Sequence, residues 1–525
     1  MLRRSRPPTR LAGMISVPPD IPSRILGCWL GKSIGGTLGL PAEGRMDRLN
    51  FTFYDPVPTI APPNDDLELQ LVWLDLVEKL PGSGRVALTQ DDFARAWLEN
   101  LHYMWDEYGR CRWNLRRGVP AREAGVFENH FVSGMGSPIR SEFWACLFPG
   151  DAHSAAHYAA LDATLDHGVE GIAGEVLFAA MQAHVAGGRS VAGAIAAARA
   201  LIPAGCETAR AAALVIDDHA AGVETWASRE KLLAAHGNDN FTHAPLNVAL
   251  TIWALLHGGG DFEKSILLAV NGGYDTDCTA ATVGATIGLA LGADAIPARW
   301  VAPIGDGVFI GPGIQGIKAP RTLGELTART AALIGKLAPH AAAPDWAALT
   351  RPPATALAAL PGTIRIQPAA TGAAAPAGVP APADVPVAAA VPADAPAAVV
   401  WANGELPSAV KAAGGASWDW TPATGESRLL VCLARAGAKL YIDDRLVIDC
   451  PAGLPYVPAT HRAPDKSRGT FTPVAGRVHR VRVELASRDP EQEVSVILIY
   501  PDRHIAPWTT LEIPHLANLP APVKA

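Results

Sequence analysis

Two short acidic clusters hold the residues best suited to chemistry. Asn64, Asp65 and Asp66 follow Pro62 and Pro63 and stand immediately before the amphipathic run Leu67 to Leu80, which places two carboxylates at the start of a helix. Taken alone, this cluster reads best as a cap, because Asn and Asp are preferred at helix N-termini and complement the helix dipole. The second cluster, Asn271 to Cys278, reads Asn-Gly-Gly-Tyr-Asp-Thr-Asp-Cys and precedes the Ala- and Gly-rich stretch Thr279 to Leu291. Its Gly-Gly pair permits a tight turn where Asp275 and Asp277, separated by a single residue, can point the same way. A cap explains one of these aspartates but hardly both. Four carboxylates meeting in space would repel one another unless cations sat between them. Hard oxygen donors of this kind select Mg2+, Mn2+ or Ca2+ over softer ions.

Helices must position these clusters. Leu67, Leu71, Leu74 and Val77 lie on one helical face, and Ile172, Val176, Ala179 and Ala180 recur at three or four residues. Alanine, the best helix former and small enough for close helix packing, is abundant, as in Val191 to Ala200. An all-α domain over residues 20–345 is expected. The sharpest compositional break is the stretch Pro368 to Ala398, almost entirely Ala and Pro, within an expected linker at 352–398. Beyond it the period changes to two, with short β-rich runs at Arg428 to Leu433, Lys439 to Ile442, Val478 to Leu485 and Val494 to Tyr500. These predict a small antiparallel β-sandwich over 399–515.

Composition bounds the partners. With 525 residues and 49% apolar content the chain can core more than one domain, and a disordered or fibrous chain is excluded. The charged fraction is 18%, the net charge −7 and the pI about 6.1, so no global positive field exists to hold nucleic acid or an acidic membrane. A small molecule or a protein is the expected substrate. Arg10, Asp20 and Arg24 interrupt any signal-like apolar run after the basic Met1 to Arg10, and no apolar stretch is long enough to span a bilayer. The seven cysteines form no Cys-x-x-Cys pair, which fits reduced thiols and a cytoplasmic location, with a Cys432–Cys450 disulfide left open.

On these motifs the sequence resembles the ADP-ribosylglycohydrolase family. The motifs run in order: the Gly-rich helix and glutamate Gly35-Gly36-Thr37-Leu38-Gly39-Leu40-Pro41-Ala42-Glu43, then Asn64-Asp65-Asp66, then the Gly-Gly-x-Asp-x-Asp turn at Gly272 to Asp277. Between them, Met135-Gly136-Ser137-Pro138-Ile139-Arg140 looks like the family's central substrate loop, and Asp162 to His167 like the Asp-to-His helix after it. The likeness spans about Leu26 to Leu337. It implies an all-α, orthogonally packed bundle with a centre of two metal ions, usually Mg2+ with Mn2+ as the substitute. The metal ligands it implies are Asn64, Asp65, Asp66, Asp275, Asp277 and Cys278. Acid–base work falls to Glu43 and Asp277, and substrate contacts to Met135, Gly136, Ser137, Arg140, His167, Gly273 and Tyr274.

Three positions depart from the family pattern. Asn64 replaces a hydroxyl but keeps a hard amide oxygen. Cys278 replaces Thr or Ser, and sulfur is a poor Mg2+ ligand, so one ion is expected to bind weakly, through water, or as Mn2+ or Zn2+. Gly36 replaces an aspartate. The departures point to a divergent branch whose substrate need not be an ADP-ribosylated protein.

The chemistry follows from the bond. Breaking a ribosyl linkage builds positive charge at the anomeric carbon, so the site must stabilise an oxocarbenium-like species while delivering water. The expectation is a metal-dependent hydrolase of an N- or O-glycosidic bond of ADP-ribose or a related ribosyl substrate. The alternatives are hydrolysis of another nucleoside or glycoside, and a non-catalytic ADP-ribose- or glycan-binding protein. Lys32-Ser33 after Gly31 lacks the upstream glycine of a phosphate loop, since position 26 is Leu26. Trp144 and Trp253 read better as core residues than as stacking platforms. In the C-terminal module, Leu440 to Asp449 has the form strand, acidic turn, strand and resembles the protective-antigen-type sandwich, implying a glycan partner through Asp443 and Asp444, although a plain hairpin turn explains the two residues equally well.

Overall fold

The structure is a computed structural model that describes residues 17–103, 106–355, 364–369, 399–401, 404–422, 425, 427–457, 462–500 and 510–511. The basic stretch Met1 to Arg10 and most of the Ala/Pro-rich segment, 370–398, lie outside the described residues. The chain divides into two compact units, Met1–Leu101 with Ser133–Arg351, and His102–Val132 with Pro352–Ala525.

The first unit is helical. The helices that carry its chemistry are α1 (Ile21–Gly39), α2 (Asp65–Lys79), α3 (Ser141–Leu147), α4 (Ala152–Ala163), α5 (Val169–Ala186), α6 (Ala244–Gly258) and α7 (Thr276–Leu291). Glycines recur every fourth residue along one face of α1, at Gly27, Gly31, Gly35 and Gly39, and this face lies directly on α7. A Cβ at Gly31 would stand 2.0 Å from the Gly284 carbonyl oxygen, and one at Gly35 would stand 2.0 Å from that of Ala280. No side chain fits between the two backbones. At the end of this contact the Thr276 hydroxyl donates to the Gly39 carbonyl at 2.8 Å, which sets the start of α7 against the end of α1. Trp144 and Trp253 are fully buried in the helical core.

The second unit holds two antiparallel sheets. Its strands are β1 (Ile364–Pro368), β2 (Val399–Trp401), β3 (Gly404–Glu405), β4 (Gly415–Trp420), β5 (Arg428–Ala434), β6 (Ala438–Ile442), β7 (Arg445–Cys450), β8 (Arg468–Phe471), β9 (His479–Leu485), β10 (Val494–Tyr500) and β11 (Thr510–Leu511). One sheet has the order β2-β1-β4-β9-β6-β7, the other β11-β10-β5-β8 with β3 also on β10. Trp418, Trp420, Leu440, Val481 and Val483 from the first face Leu430, Cys432, Val494 and Val496 from the second in one core. The four strands read from short period-two or continuous β-rich runs appear within a residue of their expected ends. Ile364–Pro368 falls in the stretch read as linker, yet its extended residues pair with both β2 and β4. Residues 102–132 also belong to this unit: Asp106 pairs with Arg462, and the His130 ring packs edge-on against Tyr456 at 5.2 Å. Cys432 and Cys450 are buried free thiols. No helix among the described residues is long and apolar enough to cross a membrane.

Candidate metal centre

The two acidic clusters meet. Asn64 caps α2, its side-chain oxygen accepting from the Asp66 backbone N–H at 2.7 Å. Its amide nitrogen donates to Asp277 Oδ2 at 3.1 Å, joining helix starts 213 residues apart in sequence. Asp275 occupies the N-cap position of α7, but its side chain makes no capping bond. Both Asp275 oxygens and Oδ1 of Asp277 are buried and have no hydrogen-bond partner, although the residues are only 1% and 3% exposed. Capping therefore accounts for Asn64 and does not account for Asp275.

The turn that aims Asp275 and Asp277 is fixed from several sides. Gly273 and Tyr274 both adopt left-handed φ, 74° and 69°, and a Cβ at Gly273 would stand 2.5 Å from the Asp47 carbonyl oxygen. Tyr274 carries the same conformation without being glycine, a local strain the surroundings must hold. They do so through backbone bonds between Gly44 N–H and the Tyr274 carbonyl at 3.0 Å and between Tyr274 N–H and the Arg45 carbonyl at 2.6 Å. These bonds bring the segment after Glu43 alongside the turn. Asn247 on α6 accepts from the Asp275 N–H at 3.2 Å while donating to the Phe241 and His243 carbonyls.

Two groups of donor atoms result. Glu43, Asp275 and Asp277 bring one carboxylate oxygen each within 4.8 Å of one another, and so do Asp66, Asp277 and the Cys278 thiol. Asp277 is common to both. Asp65, half-buried at the start of α2, stands outside both groups. Burial, with Asp277 and Glu43 beside it, holds the Asp275 carboxyl well above the usual carboxylate range. Burial and then Glu43 push Asp277 up to about 7. Burial also raises Asp66 to about 7, against the pull of Lys32. Clustered, buried carboxylate oxygens without donors fit a hard divalent cation, which would remove both the repulsion and the unmet polarity.

Beneath Asp66 lies a network the sequence did not disclose. Lys32, 1% exposed on α1, donates to Glu142 Oε1 at 3.1 Å and to the Ile139 carbonyl at 2.5 Å, and its Nζ stands 3.3 Å from Asp66 Oδ1. Burial opposes the charge on this lysine, but Glu142 and Asp66 outweigh it and raise its pKa. Gln70 donates to the Asp66 carbonyl at 2.8 Å and to Glu142 Oε2 at 3.0 Å. The available signal was the one charge in the apolar, Gly-rich run Ile25 to Gly39. A small cleft opens beside the network, lined by Lys32, Gly36, Asn64 and Asp66 among others, with Phe309 at its rim. Gly36 leaves one wall bare, where a Cβ would meet the Asn64 amide at 3.5 Å and the Ala281 Cβ at 3.7 Å, both ordinary contacts.

The central loop is placed differently from a surface substrate loop. Met135, Ser137, Arg140 and His167 are each 1% exposed or less, and Gly136 is buried with them. The Arg140 guanidinium donates to Asp162 Oδ1 at 2.8 Å, to Asp166 Oδ1 at 2.7 Å and to the Gly136 carbonyl at 2.7 Å. His167 Nδ1 lies 2.8 Å from the same Asp166 carboxylate. These charges tie the loop to the segment around α4 and face one another rather than the cleft. Gly273 and Tyr274 sit in the turn beside the donor groups and are also buried. In the second unit, Asp443 and Asp444 take left-handed φ at the β6–β7 turn, and Asp443 Oδ2 lies 2.8 Å from His479 Nδ1.

The ADP-ribosylglycohydrolase family model matches residues 17–334, and the PA14 domain model matches residues 421–506. A solved structure titled ADP-ribosylglycohydrolase-related protein complex is similar at 22% identity over 60% of this chain and 98% of its own, with a TM-score of 0.40. A β-glucosidase from Kluyveromyces marxianus in complex with glucose is similar at 18% identity over 16% of this chain and 10% of its own, with a TM-score of 0.14. No curated protein matches the chain. With its helical unit matched over most of its length and its acidic motifs gathered at one place, the chain belongs to the ADP-ribosylglycohydrolase family and carries a C-terminal PA14 domain.

Proposed function

We propose that the protein is a metal-dependent hydrolase that cleaves an N- or O-glycosidic bond at the anomeric carbon of ADP-ribose or a related ribosyl substrate. Family membership supports a glycohydrolase, and one observation carries the metal dependence: the buried, donorless oxygens of Asp275 and Asp277 beside Glu43. Glu43, Asp275 and Asp277 would hold the cation. When bound, the cation supplies Lewis acidity to the ribose hydroxyls and to water.

The remaining work belongs to the chain. Glu43 is the exposed member of its group, so its carboxylate is the one that reaches solvent and can take a proton from the attacking water. The clustered negative charge offsets the positive charge that develops at the anomeric carbon as the bond breaks. Asn64 orients Asp277 through the bond from its amide, and Asn247 holds the turn that carries Asp275. Phe309, 43% exposed at the rim of the cleft, offers a face for a base or sugar ring. For the PA14 domain the proposed partner is a glycan, with the exposed Asp444 at the β6–β7 turn as its contact.

Metal analysis of the purified protein, combined with a screen of ADP-ribosyl-arginine, ADP-ribosyl-serine and nucleosides, tests this reading. Turnover that needs a divalent ion and is lost in Asp277→Asn is the expected result. Saturable metal binding with no hydrolysis of any ribosyl compound would replace the enzyme with a binding protein.

A further inference from the structure

The two donor groups are not equivalent. In the group of Glu43, Asp275 and Asp277, both Asp275 oxygens and Asp277 Oδ1 lack any donor from the protein. In the group of Asp66, Asp277 and Cys278 the two Asp66 oxygens likewise accept no hydrogen bond, but an ammonium of the chain stands at ion-pair distance from one of them and an amide donates to Asp277. Lys32 Nζ stands 3.3 Å from Asp66 Oδ1, and the Asn64 amide nitrogen donates to Asp277 Oδ2 at 3.1 Å. The Asn64 oxygen, the one hard donor that residue offers, is engaged by the Asp66 N–H. The third donor is a thiol, which binds hard cations poorly.

Lys32 cannot simply move aside. Two hydrogen bonds, to the Ile139 carbonyl and to Glu142, anchor an ammonium that is 1% exposed. A cation on Asp66 would stand beside this fixed positive charge, in surroundings that screen it weakly. Glu142 is itself held by Gln70 and Gln182, so the acid that keeps Lys32 in place is positioned as well.

We propose that Lys32 takes the place of one of the two ions, leaving a centre for a single divalent cation held by Glu43, Asp275 and Asp277. Lys32 is then a positioning residue: it neutralises Asp66 permanently and excludes a second ion. This inference rests on the metal-dependent reading above and narrows it, and it departs from the two-ion centre that the family resemblance implies.

The test is Mn2+ stoichiometry on the full-length protein, by equilibrium dialysis with electron paramagnetic resonance as a second readout. One Mn2+ per chain with the spectrum of an isolated ion is expected. Asp275→Asn should weaken that binding by more than about 10-fold. Lys32→Gln, which keeps a side chain able to bond Glu142, should admit a second ion and give an exchange-coupled spectrum. Two coupled ions in the unsubstituted protein would overturn the proposal and leave the metal-dependent reading intact. A single ion that survives Asp275→Asn and is lost in Asp66→Asn would overturn the placement. A folded Lys32→Gln protein that still takes one ion would remove Lys32 from the account. If Lys32→Gln does not fold, the stoichiometry of the unsubstituted protein still decides. No Mn2+ binding at all would sink both this inference and the function proposed above.

Discussion

The amide of Asn64 reaches across 213 residues of sequence to donate to Asp277 Oδ2 at 3.1 Å, so one side chain both caps α2 and orients an acid at the start of α7. The two acidic motifs are thus one construction. Asn64→Ala should loosen Asp277 and remove the cap together, costing about 1 kcal/mol of stability from the cap alone and weakening divalent-ion binding about 10-fold or more. Chemical denaturation and metal titration of the same variant check the two effects separately.

Asp277→Asn and Asp275→Asn should each lower turnover by roughly 100- to 10,000-fold while the helical circular-dichroism signal is retained. Both side chains are buried, and neither supports the fold through a hydrogen bond to its free oxygens. Activity near that of the unsubstituted enzyme would refute the assignment.

Proton and cation compete for the same oxygens. Burial, then Glu43, pushes the Asp277 carboxyl up to about 7, so below that pH the metal-free site holds a proton that a cation must displace. The apparent affinity for Mg2+ or Mn2+ should therefore fall as the pH drops below about 7, with the Asp66, Asp275 and Glu43 carboxylates and the Lys32 ammonium as the neighbouring charges. Isothermal titration at a series of pH values reads this directly, and a flat profile would contradict it.

Gly31 and Gly284 permit α1 and α7 to touch backbone to backbone. A Cβ at Gly31 would lie 2.0 Å from the Gly284 carbonyl oxygen, so Gly31→Ala must push the helices apart. The expected cost is about 1–3 kcal/mol or more, with weaker metal binding, because the same contact sets Asp277 beside Glu43. Gly82→Ala, where a Cβ meets nothing, serves as the control in urea denaturation.

Arg140 joins Asp162 and Asp166 with no solvent exposure, and Glu175 lies 3.9 Å away. Removing the one guanidinium strands buried acids, so Arg140→Met should destabilise the helical unit by about 3–5 kcal/mol. A folded variant of unchanged denaturation midpoint, altered only in substrate KM, would instead assign Arg140 to substrate binding.

Local pattern made much of this protein legible. Short runs with period two or continuous apolar, β-branched content marked β5, β6, β9 and β10: β9 alternates because one of its faces enters the core, whereas β5 is apolar throughout because nearly all its side chains are buried. The paired aspartates after Gly272 and Gly273 exceeded what a helix cap requires, and their excess pointed to ligand chemistry. Other features depend on partners far away in the chain. Nothing near Lys32 announces that it will meet Ile139 and Glu142, more than a hundred residues on, and nothing in Arg140 tells whether it faces a cleft or three buried acids. Residues 102–132 likewise group with a sheet unit whose strands begin more than two hundred residues later. Periodicity reports which face of an element leaves water; only the packed chain decides which charges meet there, since a buried charge is set by the partners that compensate it.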